Sequence, residues 1–250
     1  MSLVEEYRKQ FAWRDWDRAL SLCPLVPGQA VLDLGCAAGD VSGLLAARGL
    51  IVTGVDANAE LLAAARERYP QCRFEQQDLR RLNISPSGFD GLWCSFTAAY
   101  FVDFARMWSR WAALLKPTAW VCVIDMDDLL GHEPLRAATR TKIEAFYEDA
   151  FAHGRYDFRS GRKLSSAVRA RGFEVRECAL RDNELAFLGP ALPEVLQAWQ
   201  ARLARMGGFQ QFLGSEYADI QTEFLHYLSS KNHSSQCRVL ACVGTRGMLT

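Results

Sequence analysis

Two periodicities alternate along the chain between residues 30 and 125. Short runs rich in apolar residues are typical of buried strands, and the segments between them repeat apolar positions at helical spacing. Strands and helices that alternate in this way form βαβ units, which build a doubly wound parallel sheet covered by helices on both faces. The runs that predict five strands are AVLDL, LIVTGVD, CRFEQQD, FDGLWCSF and AWVCVID.

The alternation ends after Asp125. Residues 126–160 and 183–231 have a mostly helical pattern without a strand, and we expect them to cover the crevice at the carboxyl ends of the strands as a helical cap. Residues 3–22 predict one helix, and Asn58 is the expected N-cap of the helix after the second strand. FEVRECAL and CRVLACVGT predict two further strands, so residues 1–250 are expected to form a single α/β domain.

Composition limits the classes of partner. Lysine plus arginine and aspartate plus glutamate each number 29, so the formal net charge is zero, whereas proteins that grip nucleic acid usually carry a basic excess. No run reaches the roughly 18 apolar residues of a membrane span, and the first residues lack the apolar core of a signal peptide. The eight cysteines form no CxxC pair and are expected to be free thiols. We expect a cytoplasmic protein without a nucleic-acid or membrane partner and without a metal.

A glycine-containing turn follows the first strand: Asp33, Gly35, Cys36, Ala37 and Gly39. Because glycine has no Cβ, a ligand can approach the backbone of such a turn closely. A dinucleotide site carries G-x-G-x-x-G after the strand, whereas these two glycines are four positions apart and an acid precedes them. The Asp33 carboxylate would crowd a pyrophosphate and suits a cationic amino group, which favours S-adenosyl-L-methionine over NAD as the cofactor.

Polar residues also follow the next three strands. Asp56 ends the second strand about 20 residues beyond the glycine turn, where a carboxylate can accept hydrogen bonds from ribose hydroxyls. Asp78 follows the third strand and can accept from the exocyclic amine of a purine, and Ser95 ends the fourth strand at the crevice wall. Each aspartate alone is equally readable as a turn or loop acid, but their order at successive strand ends indicates a nucleoside site.

With these residues in order, residues 25–125 and the terminal strands resemble the class I S-adenosyl-L-methionine-dependent methyltransferases. The resemblance assigns Asp33, Gly35 and Gly39 to the family's first motif, and it matches Asp90–Phe96 to the motif on the fourth strand. It implies a Rossmann-like sheet of seven strands, the last one antiparallel.

The resemblance also gives roles to the residues at the strand ends. It implies that Asp56 binds the ribose with Ala57 beside the adenine, and that Asp78, followed by Leu79, lies near the adenine amine. The chain departs from the family at Ala37, where glycine is most frequent, and alanine is small enough to be tolerated there if its φ is negative.

Candidate residues for the reaction with the methyl acceptor come from the segments after the fifth strand. Methyl transfer depends mainly on proximity and alignment, and a general base is needed only when the acceptor must lose a proton. His132 and Asp128 follow the fifth strand and are the candidate catalytic residues, with Asp127 and His153 as further candidates. Alternatively, the aspartates cap the next helix and the histidines are surface groups.

The segment FAWRDW lies near the end of the N-terminal helix, and its Trp13, Arg14 and Trp16 either fold over the cofactor or pack the helix onto the sheet. The fourth strand has no NPPY-type continuation, which in the family marks amino groups of bases or of glutamine as acceptors. We therefore expect methyl transfer to O, N or C of a small molecule. The alternatives are a methyltransferase for RNA or protein and a non-catalytic protein that binds S-adenosyl-L-methionine.

Overall fold

A computed structural model describes residues 2–85 and 88–247, and it is built around a seven-stranded sheet. The spatial order of the strands is β3-β2-β1-β4-β5-β9-β7, and β6 and β8 form a separate two-stranded ribbon. The strands are β1 Ala30–Leu34, β2 Ile51–Asp56, β3 Arg73–Gln76, β4 Phe89–Ser95, β5 Leu115–Asp127, β6 His132–Glu133, β7 Glu174–Leu180, β8 Ser234–Ser235 and β9 Arg238–Thr245.

Strand directions match the expected plan. The pairs β1·β2, β1·β4, β2·β3 and β4·β5 are parallel, while β9 runs antiparallel to both β5 and β7. The last strand is thus inserted between the fifth and the sixth strand of the sheet. This confirms the predicted doubly wound, seven-stranded α/β fold with an antiparallel last strand.

Ten α-helices accompany the sheet within the described residues: α1 Leu3–Ala12, α2 Trp16–Leu20, α3 Asp40–Ala46, α4 Ala59–Arg68, α5 Phe104–Ala112, α6 Ala137–Ala152, α7 Leu164–Arg169, α8 Pro193–Arg205, α9 Gly207–Leu213 and α10 Tyr217–Leu228. The N-cap prediction for α4 is confirmed, because the Asn58 side chain accepts hydrogen bonds from the backbone N–H groups of Glu60 and Leu61. These bonds satisfy donors that the first helical turn leaves free.

Both faces of the sheet are buried, which explains the nearly continuous apolar runs. Neighbouring residues of β4 point to opposite faces, so Trp93 joins one apolar cluster and Leu92 joins the other. In β5, Cys122 and Val123 are divided between the same two clusters. A strand buried on both sides shows little alternation of apolar and polar residues, and it is recognised instead by its short length and its flanking turns.

The single helix expected over residues 3–22 is wrong. The chain leaves α1 after Ala12, and the backbone around Arg14 forms an isolated antiparallel bridge with Asp182. The N–H of Asp15 also donates to the carbonyl of Arg181 at 3.1 Å. The apolar periodicity passes through this break because α1 and α2 both face the core, and only the distant partner segment shows where the helix ends.

The strandless segment expected after Asp125 is also corrected. Strand β5 continues to Asp127 because it pairs with β9 along the whole of Trp120–Asp127, and His132 and Glu133 form the ribbon with Ser235 and Ser234. The buried Asp127 carboxylate is neutralised by Arg162 at 2.6 Å and Arg238 at 2.8 Å. Such pairing allows an acid at a position that the sequence pattern reads as the end of a strand.

The cysteines and the helices bear on two further expectations. All eight cysteines are free, as predicted, and six of them are buried: Cys23, Cys36, Cys94, Cys122, Cys237 and Cys242. Among the described residues, no helix combines the length and the apolar character needed to cross a bilayer.

Candidate functional site

A cavity of about 370 Å³ opens at the carboxyl ends of β1, β2 and β4, and we call it the strand-end cavity. Its wall includes the turn after β1, the ends of β2 and β4, and the side of α1 that carries Tyr7 and Phe11. The carboxyl ends of adjacent parallel strands where the strand order reverses are the usual ligand crevice of such folds. All predicted cofactor residues except Gly39 and Trp13 line it.

The turn after β1 has three residues with left-handed backbone: Gly35 at φ 74°, Ala37 at φ 47° and Gly39 at φ 79°. The condition of a negative φ at Ala37 is therefore not met. The turn is closed by the N–H of Gly39 donating to the carbonyl of Cys36 at 2.9 Å, and the N–H of Ala37 donates to Oδ2 of Asp56 at 2.9 Å. These bonds hold alanine in a conformation that glycine adopts at lower cost.

The two glycines have different packing reasons. A Cβ on Gly35 would lie 2.1 Å from Oγ1 of Thr97, so Gly35 lets the β1 turn meet the end of β4. A Cβ on Gly39 would lie 2.9 Å from both Ala65 and Phe74, which places this residue against α4 and β3 instead of the cavity. Gly39 thus shapes the turn without lining the cavity.

Asp33 is 1% exposed and lies at the cavity wall. Its Oδ2 accepts a hydrogen bond from Oγ of Ser42 at 2.6 Å, the only side-chain hydrogen bond that this carboxyl makes with the described residues. Burial raises the pKa of Asp33 to about 7, and the hydrogen bond from Ser42 offsets only part of that effect. A cation beside it would restore the ionised form, because opposite charges at short range favour ionisation.

Asp56 is the organising carboxylate of the strand-end cavity. Oδ2 accepts from the N–H of Ala37 and Oδ1 accepts from the N–H of Asn58, each at 2.9 Å. Each carboxylate oxygen has a second lone pair. The pair of backbone bonds fixes the side chain while leaving acceptor capacity for two hydroxyl groups of a ligand.

The remaining predicted wall residues lie farther along the same cavity. Asp78 is about half exposed, and its Oδ1 accepts from the N–H of Arg80 at 2.9 Å. Leu79 is buried beside it, and its carbonyl accepts from the indole of Trp111 at 3.1 Å. Ala57, Cys36 and Ser95 also line the cavity. Asp78 therefore offers a solvent-facing acceptor next to an apolar wall.

The N-terminal segment covers part of this cavity. Arg14 lines it, stacks 3.9 Å above the ring of Phe96 and pairs with Asp182 at 3.0 Å. Trp16 also lines it, whereas Trp13 packs against the core. Sequence reasoning did not assign Tyr7 to this site. Its signal was present, because Tyr7 and Phe11 are four residues apart and so lie on one helix face.

Comparison with known proteins shows which enzymes this part of the chain resembles. A family model described as a methyltransferase domain matches residues 31–118, which carry β1–β4 and the predicted acids. A trans-aconitate 2-methyltransferase of Methylobacterium nodulans is 32% identical over 148 residues, which are 52% of this chain and 57% of that protein. A ubiquinone biosynthesis O-methyltransferase of Coxiella burnetii is 36% identical over 94 residues, which are 36% of this chain and 40% of that protein.

The chain is therefore similar to methyltransferases over residues 31–118, the region that carries the first four strands of the sheet. It spans about half the length of these two curated relatives. A solved structure of phosphoethanolamine N-methyltransferase 2 of Haemonchus contortus, in complex with phosphomonomethylethanolamine and S-adenosylhomocysteine, shares the fold with a TM-score of 0.60 at 18% identity, covering 98% of this chain and 57% of that one.

The two candidate catalytic residues predicted from the sequence lie away from the strand-end cavity. His132 is 1% exposed, and its Nδ1 is 2.9 Å from Nε2 of His233, whose Nδ1 lies 2.9 Å from the carbonyl of Gly189. A carbonyl can only accept, so His233 donates to Gly189 and its Nε2 accepts from His132. Burial lowers the pKa of His132 well below its ordinary value. The ring is a neutral part of the core, not a surface group.

Asp128 also makes structural contacts. It has φ 65°, and Oδ1 accepts from the hydroxyl of Tyr147 at 3.0 Å. Neither Asp128 nor His132 lines the strand-end cavity. Of the further candidates, His153 is exposed beside Asp149 at the end of α6, and the ion pairs with Arg162 and Arg238 occupy Asp127. The structure brings none of these four residues to that cavity.

A second cavity, of about 420 Å³, adjoins the first, and we call it the cap cavity. The two cavities share Leu3, Tyr7 and Tyr100 in their walls. The rest of the cap cavity is formed by α1, α6, α8 and α9 and by the chain around Phe158. Burial raises the pKa of Tyr7 to about 12, so its hydroxyl is protonated at neutral pH at the junction of the two cavities.

Proposed function

We propose that this chain binds S-adenosyl-L-methionine in the strand-end cavity and transfers its methyl group to a small-molecule acceptor in the adjoining cap cavity. The observation that carries the proposal is the set of three carboxylates, Asp33, Asp56 and Asp78, that line one cavity at the ends of three successive strands. The relatives named above support the same activity, and S-adenosylhomocysteine in the Haemonchus enzyme supports the same cofactor class.

Each carboxylate has a role that suits its surroundings. The buried Asp33 would pair with the ammonium of the cofactor's amino acid moiety, and Asp56, fixed by the N–H groups of Ala37 and Asn58, would accept from the ribose hydroxyls. Asp78, beside the apolar wall of Leu79, would accept from the adenine amine. Gly35, Cys36, Ala57 and Ser95 would form the surrounding surface.

The place of the methyl acceptor is inferred from the wall that the strand-end cavity and the cap cavity share. When bound, S-adenosyl-L-methionine supplies a methyl group activated by its own sulfonium charge. The chain would contribute alignment, through Tyr7 and Tyr100 between the cavities, and exclusion of water by the helices that cover the cap cavity. The cap cavity, with a volume of about 420 Å³, is large enough for a metabolite. This favours a small acceptor over RNA or protein.

Calorimetry tests this function directly. We expect S-adenosylhomocysteine and S-adenosyl-L-methionine to bind with one site per chain, and we expect a metabolite extract incubated with the methyl donor to show a product heavier by one methylene unit. Absence of binding by both nucleosides would refute the proposal. Tight binding without a methylated product from any extract would point instead to a non-catalytic cofactor-binding protein.

A further inference from the structure

The wall of the cap cavity combines aromatic rings with guanidinium groups. The rings come from α6 and α9 and from the chain between α6 and α7: Phe146, Tyr156, Phe158 and Phe209. The charged groups among the described lining residues are Arg155, Arg202 and Arg205 and one carboxylate, that of Glu6. Three guanidinium groups against one carboxylate give this wall an excess of positive charge.

Arg202 is the most buried of the three arginines, with its side chain 19% exposed. Its Nη2 pairs with Oε1 of Glu184 at 2.5 Å, and its Nε has no hydrogen-bond partner among the described residues. Glu184 is fully buried and is not part of the cavity wall, so the counter-charge lies behind the arginine. Burial favours the neutral form of Arg202, but the Glu184 carboxylate outweighs this and raises its pKa above the ordinary value.

The other charged groups of the wall leave the same excess. Arg205 is about half exposed and pairs with Glu6, whose Oε1 also accepts from Nε2 of Gln10 at 3.2 Å. Arg155 pairs with Asp149, which lies outside the cavity wall. Among the described lining residues, the one carboxylate is thus already engaged by two donors, while the guanidinium groups keep further N–H groups for a ligand.

We infer that the cap cavity binds a small carboxylate with an apolar body, its carboxylate held by Arg202 and Arg205 and its body packed on the aromatic rings. This inference rests on the proposed function, since it identifies the chemical class of the methyl acceptor. A cationic acceptor would be repelled by three arginines, and a neutral one would make weaker hydrogen bonds to their remaining N–H groups than a carboxylate would. A planar guanidinium pairs with a carboxylate through two parallel hydrogen bonds, which selects this anion over a halide.

The experiment measures binding by calorimetry to the full chain, alone and saturated with S-adenosylhomocysteine. The probes are trans-aconitate, cinnamate and octanoate, each paired with the uncharged methyl ester in which every carboxylate is esterified, which for trans-aconitate is the trimethyl ester. We expect at least one carboxylate to bind about tenfold more tightly than its ester, the effect of one lost charge-assisted contact. If no carboxylate binds, or if the esters bind equally well, the inference is wrong.

Variants locate the contact. Arg205→Gln, at a partly exposed position, should weaken binding of the carboxylate about tenfold. The affinities for the ester and for S-adenosylhomocysteine should be unchanged. Arg202→Gln should have the larger effect, but it also removes a partner of the buried Glu184, so its S-adenosylhomocysteine affinity serves as the folding check. Arg176→Gln, on the exposed side of β7 and outside both cavities, is the matched control that removes the same charge elsewhere.

The outcomes separate the two proposals. Carboxylate binding that is lost in Arg205→Gln and kept in Arg176→Gln supports the cap cavity as the anion site. Equal losses in both variants would show a general charge effect and overturn the inference. If S-adenosylhomocysteine does not bind while carboxylates do, the methyltransferase proposal fails and the anion site stands.

Discussion

The two adjoining cavities differ in how they are built and in the sign of their charge. The strand-end cavity takes most of its wall from residues 33–101 and contains four aspartates, Asp33, Asp40, Asp56 and Asp78, against two arginines. The cap cavity collects its wall from residues 3–10, 129–158 and 202–209 together with Tyr100, and its described lining residues include three arginines against one carboxylate. A motif with short spacing thus forms the first cavity, whereas packing between distant helices forms the second.

The difference in charge between the two cavities matches the charges of the ligands that we propose for them. An acidic wall suits a cofactor with an ammonium and a sulfonium group, and a basic wall suits an anionic acceptor. Changes in one cavity should therefore affect one ligand and spare the other. The following five predictions test this separation, from the largest expected effect to the smallest.

Gly35→Ala should be the most damaging change, lowering the free energy of unfolding by about 3 kcal/mol, because a Cβ at φ 74° would also overlap the side chain of Thr97. Chemical denaturation measures the loss. Adding Thr97→Ala should recover part of it by removing Oγ1 and Cγ2. If Gly35→Ala is as stable as the parent, the strand-end cavity is not packed as described.

Asp56→Ala should weaken binding of S-adenosylhomocysteine by about 2–3 kcal/mol, because it removes charge-assisted hydrogen bonds to the ribose. It also leaves the N–H groups of Ala37 and Asn58 without their acceptor. Calorimetry measures the affinity, and thermal unfolding checks that the chain is folded. Binding of the carboxylate probes should be unchanged in this variant. Equal losses of both ligands would contradict the independence of the two cavities.

Acidification should weaken cofactor binding through Asp33, whose pKa burial raises from its ordinary value of 3.8 to about 7. Below that pKa the carboxyl is neutral and cannot pair with an ammonium group. The affinity for S-adenosylhomocysteine should therefore fall about tenfold from about pH 8 to about pH 6. Calorimetry in buffers of different ionisation enthalpy should also detect a proton released on binding near pH 6.

Stability of the ligand-free chain should respond to Asp33 in the opposite direction. A carboxyl with a raised pKa contributes stability that is fully present below the unfolded pKa and is lost as the pH rises through about 7. Asp33→Asn should flatten both pH profiles. A pH-dependent affinity that persists in this variant would assign the effect to another group.

Ala37→Gly should have the smallest effect, with cofactor affinity nearly unchanged and stability raised by at most about 1 kcal/mol. Glycine relieves the strain of φ 47°, and its greater freedom in the unfolded chain offsets part of that gain. Thermal unfolding and calorimetry measure the two quantities. A large loss of affinity would mean that the Ala37 methyl group itself contacts the cofactor.

Much of the strand-end cavity could be predicted from the sequence. The turn at Asp33, the acid at Asp56 and the N-cap at Asn58 depend on contacts within or between adjacent βαβ units, so their spacing reveals them. The φ of Ala37 could not be read in this way, because it is imposed by a hydrogen bond to Asp56, 19 residues away. The break at Arg14 depends on a partner segment at Asp182.

The cap cavity was harder to predict because its residues are distant in sequence. His132 and Asp128 follow β5 closely and so looked like crevice residues, yet β9 extends β5 by pairing and the chain then carries His132 into a ribbon with Ser235. There it packs against His233 in the core. Arg202 and Arg205 were not predicted as site residues. They lie in a predicted helix, and the sequence alone does not show that this helix borders a cavity.

The sequence by itself determined the order of strands and helices, the doubly wound sheet and the acidic strand ends, because these follow from local periodicity and from the right-handed crossover of βαβ units. The tertiary structure decided where α1 stops, which residues enclose the cap cavity and which titratable groups are buried. These depend on contacts between segments far apart in the chain, where burial and charge pairing in three dimensions outweigh local preference.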